Sequence, residues 1–244
     1  MIEETKGIVL RTFPYLESST IVRILTKEFG VKSYILKGGR KSKSNLRSNI
    51  FQPLYILDLQ VYNNPKKEIQ IISEAKIEKD LTPLFSDIKK TSLAFFLSEI
   101  INQCLKEEER SEVLYEFIED NILKLNNLTD NYSTFHLSFL IELSEHLGFM
   151  PMNNYSLETP FFDIQKGHFV SNNPYLRDQL SREDSLLISN FLFSQENISQ
   201  NYTPTKLTKE EKTKILNILI QFYQTHILSP NSIKSHIILA TILH

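Results

Sequence analysis

The stretch Val31-Lys32-Ser33-Tyr34-Ile35-Leu36-Lys37-Gly38-Gly39-Arg40-Lys41-Ser42-Lys43-Ser44-Asn45-Leu46-Arg47 runs from a strand into a cationic loop. Val31, Ser33 and Ile35 alternate with Lys32, Tyr34 and Leu36, the period-two pattern of a strand with two different faces. Gly38-Gly39 lets the chain turn through positive φ at low steric cost. Lys37, Arg40, Lys41, Lys43 and Arg47 then follow with no acid among them. The acid-free window is wider still, because no Asp or Glu lies between Glu28 and Asp58. Such a surface attracts a polyanion and gains affinity by releasing counterions. A solvated loop that serves only solubility fits the same residues.

Working outward, the flanks also read as strands. Upstream, residues 5–13 form one, Pro14-Tyr15-Leu16-Glu17-Ser18 breaks it, and the β-branched run 19–26 forms a second. Lys27-Glu28-Phe29-Gly30 turns into the third strand, 31–37. Downstream, a helical turn is expected near Ser44–Arg47. Residues 53–62 make a fourth strand, Asn63-Asn64-Pro65-Lys66 a hairpin turn, and residues 67–78 a fifth strand. Five short strands in about 80 residues suit a partly open barrel of the OB type. Barrels of that kind often bind oligonucleotides, with a basic groove for the backbone and aromatic rings for the bases. Phe13, Tyr15, Tyr34, Tyr55 and Tyr62 are the rings on offer, and each equally suits a core or barrel-edge place.

After Leu81 the period lengthens. Leu93, Phe96, Leu97, Ile100, Ile101, Cys104 and Leu105 mark one buried helix face in residues 85–106. Helices follow at 111–125, 132–147, 209–228 and 232–243, and another starts at Ser181. A small hairpin is expected at 161–170. The fold class is therefore α+β, an N-terminal five-stranded OB-type barrel (1–80) followed by an α-helical domain (81–244). Charge divides at the same place. Residues 1–80 carry 14 Lys and Arg against 9 Asp and Glu, and residues 81–244 carry 13 against 20. A polyanion should meet the first part, and a protein partner suits the second.

The chain shows no secretory leader pattern and no apolar run of membrane-spanning length, so an intracellular, cytoplasmic protein with no membrane partner is expected. The single cysteine, Cys104, excludes an intramolecular disulfide and reads as a small core residue. No constellation suggests catalysis. A phosphate-binding Gly-x-x-x-x-Gly-Lys loop is missing, so Gly38-Gly39-Arg40-Lys41 is not a nucleotide site of that type. Glu142 and His146 stand four apart on a helix but lack a third metal ligand. Neither an enzyme activity nor a cofactor is expected.

Several segments together resemble the RecO family of bacterial recombination mediators. Gly7-Ile8-Val9-Leu10-Arg11 with Pro14-Tyr15-x-Glu17-Ser18-Ser19 resembles its opening strand and turn. Leu25-Thr26-Lys27-Glu28-Phe29-Gly30 resembles its second turn, and Lys37-Gly38-Gly39-Arg40-Lys41 with Leu46-Arg47 its basic loop. Tyr223-Gln224-Thr225-His226-Ile227 and Ile233-Lys234-Ser235 resemble its closing segment. The resemblance implies binding of single- and double-stranded DNA and annealing of complementary strands. It also implies partnership with RecR and with the acidic C-terminal tail of single-strand DNA-binding protein, in order to load the recombinase RecA. Arg11, Lys37, Arg40, Lys41, Lys43 and Arg47 are the expected phosphate contacts. Many members carry a four-cysteine zinc site after a Leu-Gly-aromatic-x-Pro segment. Here Leu147-Gly148-Phe149-Met150-Pro151 is present, but no cysteine follows it, so no structural zinc is expected. The 161–170 hairpin should instead be held by Phe161, Phe162 and Phe169. An OB-type RNA-binding or ribosome-associated protein is the competing reading. A hydrolase assembled from distant residues is a third.

Overall fold

The computed structural model describes residues 2–17, 19–37, 48–64, 66–107, 110–130, 132–171, 178–196 and 206–243. Arg40, Lys41, Lys43, Arg47 and the turn expected at Ser44–Arg47 lie outside the described residues, as does the Lys37 side chain. Two compact units form, Met1–Tyr132 with Ile233–Leu243, and Ser133–Ser232.

The first unit is built on a closed barrel of β1 (Ile2–Tyr15), β2 (Ser19–Thr26), β3 (Gly30–Lys37), β4 (Ile56–Tyr62) and β5 (Ile69–Ile77), in the spatial order β1-β2-β3-β5-β4. All pairs are antiparallel except β3 with β5. Val9, Val22, Ile24, Tyr34, Leu36, Leu57, Leu59, Val61 and Ile72 fill its interior with Phe51. The five expected strands are present, with two differences. Pro14 does not end β1, because beyond Ile8 that strand pairs with β2 alone, and an edge position tolerates the missing N–H. The fourth strand starts at Ile56, not Pro53, because Leu54 takes φ 63° in a turn whose N–H donates to the Val9 carbonyl at 2.7 Å.

Gly7 has a packing reason. A Cβ there would stand 2.6 Å from Ile24 Cγ2 and 2.7 Å from Leu59 Cδ1, both inside the barrel. Gly7→Ala is expected to cost about 1–3 kcal/mol through overpacking, read as a lower urea midpoint at unchanged slope.

Among the described residues the first unit also holds the α-helices α1 (Thr82–Ser86), α2 (Ile88–Cys104), α3 (Glu112–Asn127) and α7 (Ser235–Leu243). The single helix expected over 85–106 is thus divided. Asp87 is extended at φ −107° and ψ 121°, and its carboxylate caps α2 by accepting from the N–H groups of Lys89 and Lys90. Cys104 is 2% exposed and burial pushes its thiol up to about 12, the behaviour of a core residue rather than a nucleophile.

Where the barrel meets α3, one carboxylate is poorly placed. Glu119 Oε1 is buried with no hydrogen-bond partner, and so is the nearby Tyr115 hydroxyl. Burial first, and then the charge of Glu78, hold the Glu119 carboxyl above its ordinary range, against the pull of Lys6, Lys79 and Lys27. A raised folded value means that the fold is favoured by protonation. That contribution is complete below the unfolded value near ~4.3 and is lost as pH rises through the folded one. Glu119→Gln is therefore expected to melt above the wild type at pH 7 and with it at pH 4. A lower melting point at pH 7 would contradict this.

In the second unit, α4 (Phe135–His146), α5 (Arg182–Glu196) and α6 (Lys209–His226) surround the hairpin β6 (Phe161–Asp163) and β7 (His168–Val170). Aromatic packing holds that hairpin. Phe162 meets Phe169 edge-on at 5.1 Å and Phe222 at 6.1 Å, while Tyr155 meets Phe169 at 5.5 Å. Phe161 is only partly buried. His226 stacks on Phe149 at 5.4 Å and hydrogen-bonds the Ile164 carbonyl. Among the described residues, no three His, Cys, Asp or Glu side chains are gathered closely enough to hold a metal ion. No described helix is long and apolar enough to cross a membrane.

Candidate nucleic-acid interface

The outer face of β1–β2–β3 is divided by α2. A bulge between Val9 and Arg11 leaves Leu10 out of the β1–β2 register. The Leu10 carbonyl accepts from Ser98 Oγ of α2 at 2.5 Å. Nearby, the Arg23 guanidinium donates to the Asn102 carbonyl and side chain at 3.1 and 3.2 Å, and to the Leu105 carbonyl at 2.7 Å. A cation there satisfies carbonyls left over at the end of α2 and complements its dipole. These contacts fasten α2 over one half of the strands. The other half, the ribbon leading to the β1–β2 turn, is left open.

Strand periodicity sorts the open half into two faces. Thr12 lies opposite Val22, and Val22 opposite Tyr34, both in the barrel core. Arg11, Phe13 and Tyr15 must therefore point outward. All residues from Arg11 to Glu17 are exposed, with Phe13 at 37%, Tyr15 at 38% and Leu16 at 78%. Neither Phe13 nor Tyr15 packs against another ring among the described residues.

Register also fixes where the cationic segment begins. Tyr15 pairs with Ser19, and Ser19 with Lys37, the last residue of β3. The two strand-to-strand steps, about 10 Å in all, set the origin of the 38–47 segment beside the aromatic end of the ribbon. Of the expected phosphate contacts, the structure thus places Arg11 on the outer face and the Lys37 backbone at the same end. Arg11 stands directly opposite Arg23, so two like charges are neighbours. Burial first, and also the charge of Arg11, shift Arg23 below its ordinary value, while Glu107 opposes the shift. Among the described residues no carboxylate pairs with Arg11, and an incoming phosphate would relieve the repulsion.

Sequence reading named Arg11 as a phosphate contact and gave Arg23 no role, and the structure makes Arg23 a structural cation. Nothing local distinguishes them, since the difference is made by α2, about 80 residues further on. The five candidate rings also part company here. Tyr34 is fully buried and Tyr55 packs against Phe85 at 5.0 Å, whereas Phe13, Tyr15 and Tyr62 are exposed.

The chain matches two family models, "Recombination protein O N terminal" over residues 1–80 and "Recombination protein O C terminal" over residues 85–160. A "DNA repair protein RecO" from Azobacteroides pseudotrichonymphae is 35% identical over 242 residues, covering 99% of both chains. Proteins of the same description from Phocaeicola vulgatus and Flavobacterium psychrophilum are each 31% identical, over 93% and 92% of both chains. A closed five-stranded barrel continued by helices, matched along nearly its whole length by such relatives, belongs to the RecO family of DNA repair proteins.

Proposed function

We propose that this protein is a non-enzymatic recombination mediator of the cytoplasm. It binds single- and double-stranded DNA, anneals complementary strands, and helps load a RecA-type recombinase onto DNA coated with single-strand DNA-binding protein. The observation that carries the reading is the coincidence at one end of the barrel. The acid-free 29–57 window leaves β3 there, beside exposed Arg11 and two exposed rings. Arg11, Lys37, Arg40, Lys41, Lys43 and Arg47 contact phosphates of both strands and screen their mutual repulsion, so that complementary bases can meet. Phosphate contacts of this kind hold DNA without reading its sequence.

The other partners are RecR and the acidic C-terminal tail of single-strand DNA-binding protein. A tail that ends in acidic and apolar groups needs a cation beside an apolar surface. Lys234 supplies the cation at the start of α7, where Ile237 and Ile238 are 66% and 61% exposed.

The test is annealing of two labelled complementary oligonucleotides, each precoated with single-strand DNA-binding protein, with matched RNA strands in parallel. Accelerated annealing of coated DNA is the expected result. Tighter binding of RNA together with no annealing of coated DNA would replace this reading by the RNA-binding one.

A further inference from the structure

Residues Ile2–Ile8 of β1 pair with β4, and β4 pairs with β5, so these three strands share a second outer face. Register sorts that face into rows. Ile2 lies opposite Tyr62, and Tyr62 opposite Ile71. The next row is Glu4, Gln60 and Glu74, and the third is Lys6, Asp58 and Lys76. The alternate positions Leu57, Leu59 and Val61 fill the core, so all three rows point outward. Ile2, Tyr62 and Ile71 are 46%, 45% and 36% exposed. Three large apolar side chains together on an open sheet face mark a contact surface.

Charge says what kind of contact it is. Beside the apolar row lies a hollow of about 400 Å³, bordered by Glu4, Glu28, Asp58 and Glu74 against Lys6 and Lys76. Glu28 and Asp58 are the acids that bound the acid-free 29–57 window. Lys6 is already held by Glu78, and Asp58 stands between Lys6 and Lys76 across the strands. Glu4 accepts only a long hydrogen bond from the Gln60 amide, at 3.5 Å. Among the described residues neither Glu4 nor Glu74 forms an ion pair. Unbalanced negative charge therefore sits one row from the apolar side chains, about 7 Å away. Phosphates are repelled from such a face. A polypeptide fits it, because side chains two apart on an extended segment share a face at the same spacing of about 7 Å.

We propose that the outer face of β1, β4 and β5 docks an extended segment of a protein partner, one that carries an arginine two residues from an apolar side chain. The apolar residue packs on Ile2, Tyr62 and Ile71. The guanidinium enters the hollow beside Glu4 and Glu74, where its planar fork meets carboxylate oxygens. Docking uses the Ile2–Lys6 part of β1, and exposed Arg11 lies further along the same strand. A protein partner and DNA then occupy different sides of the barrel at once.

The experiment titrates the nitrogen-15-labelled full chain with three peptides, followed by amide NMR shifts. The first is N-acetyl-Leu-Ser-Arg-Ser-Leu amide. The second has Glu in place of Arg, and the third has Ala in place of both Leu residues. The first is expected to bind about tenfold more tightly than either control. Its shifts should be confined to Ile2–Lys6, Asp58–Tyr62 and Ile71–Lys76. In a Glu4→Gln/Glu74→Gln variant its affinity should fall about tenfold. Both replaced side chains are exposed, and equal melting of variant and wild type checks the fold. Affinity of the variant for an oligonucleotide should stay within about twofold of the wild type. No binding of the arginine peptide, equal binding of all three, or no loss in the variant would overturn the docking site. Self-association of the wild type that the variant abolishes would also overturn it, by giving the face to a second copy. Failure of the wild type to bind the oligonucleotide would remove the DNA-binding reading and leave the peptide result standing.

Discussion

Replacing Lys37, Arg40, Lys41, Lys43 and Arg47 together with alanine is expected to abolish annealing of coated strands while leaving the thermal midpoint unchanged. The magnitude follows from counterion release. Five phosphates neutralised on a single strand give log K a slope of about −3.5 against log salt. Between 50 and 200 mM salt the wild type should thus lose about 100-fold in affinity. The variant keeps only Arg11 of the six cations, so its slope should be no steeper than about −0.7. Annealing suffers more than binding, since it requires two strands on one surface and each depends on the same cations. The diagnostic quantity is therefore the slope, not one affinity. An unchanged slope in the variant would clear this segment of any phosphate contact and move the site to Arg11, Lys66 and Lys67.

The barrel was legible because its signals are local. Alternation in Val31–Leu36, β-branched residues at 19–26 and the Asn63–Lys66 turn each act within a few positions, and β2, β3 and the β6–β7 hairpin appear where they were expected. Pro14 and the start of β4 were misread because both depend on which strand lies alongside. Pro14 is tolerated only since β4 has already ended its pairing with β1 at Ile8. The division at Asp87 was present in sequence as a capping residue before Lys89 and Lys90, yet it was hidden by apolar positions that continue through it. The interface was legible in part. Charge pointed to one end of the barrel, and of the residues it singled out the structure describes Arg11, which is exposed, and the backbone of Lys37. That Ile2, Tyr62 and Ile71 lie side by side on the outside of the barrel could not be read, because pairing across the closed barrel and a register shift in β4–β5 bring them together. Glu99 carried no signal at all, since its partners lie about 135 residues away.

Glu99 is where the second large effect is expected. Its carboxylate, on α2, accepts from the backbone N–H of Lys234 at 3.2 Å, from the N–H of Ser235 at 2.9 Å, and from the Ser235 hydroxyl. Those N–H groups open α7 and have no partner within the helix, so the carboxylate is a cap supplied from another helix. With nine residues and no Asp, Glu, Lys or Arg, α7 is too short to persist alone. It packs along α2 and buries Leu239 and Leu243. Glu99→Ala removes the cap and is expected to weaken docking by about 2–3 kcal/mol, the range for hydrogen bonds to a charged acceptor. Hydrogen exchange of the α7 amides should accelerate about 30- to 150-fold, while amides of Ser133–Ser232 stay as they were. Glu99→Gln keeps an acceptor oxygen without the charge and should fall between the two. The functional consequence separates two surfaces of one unit. If the tail of single-strand DNA-binding protein docks on Lys234, Ile237 and Ile238, the alanine variant loses that peptide and keeps its affinity for naked oligonucleotides. Loss of both would mean that α7 supports the barrel itself. Unaltered exchange in α7 would show that apolar contacts with α2 hold the helix without the cap.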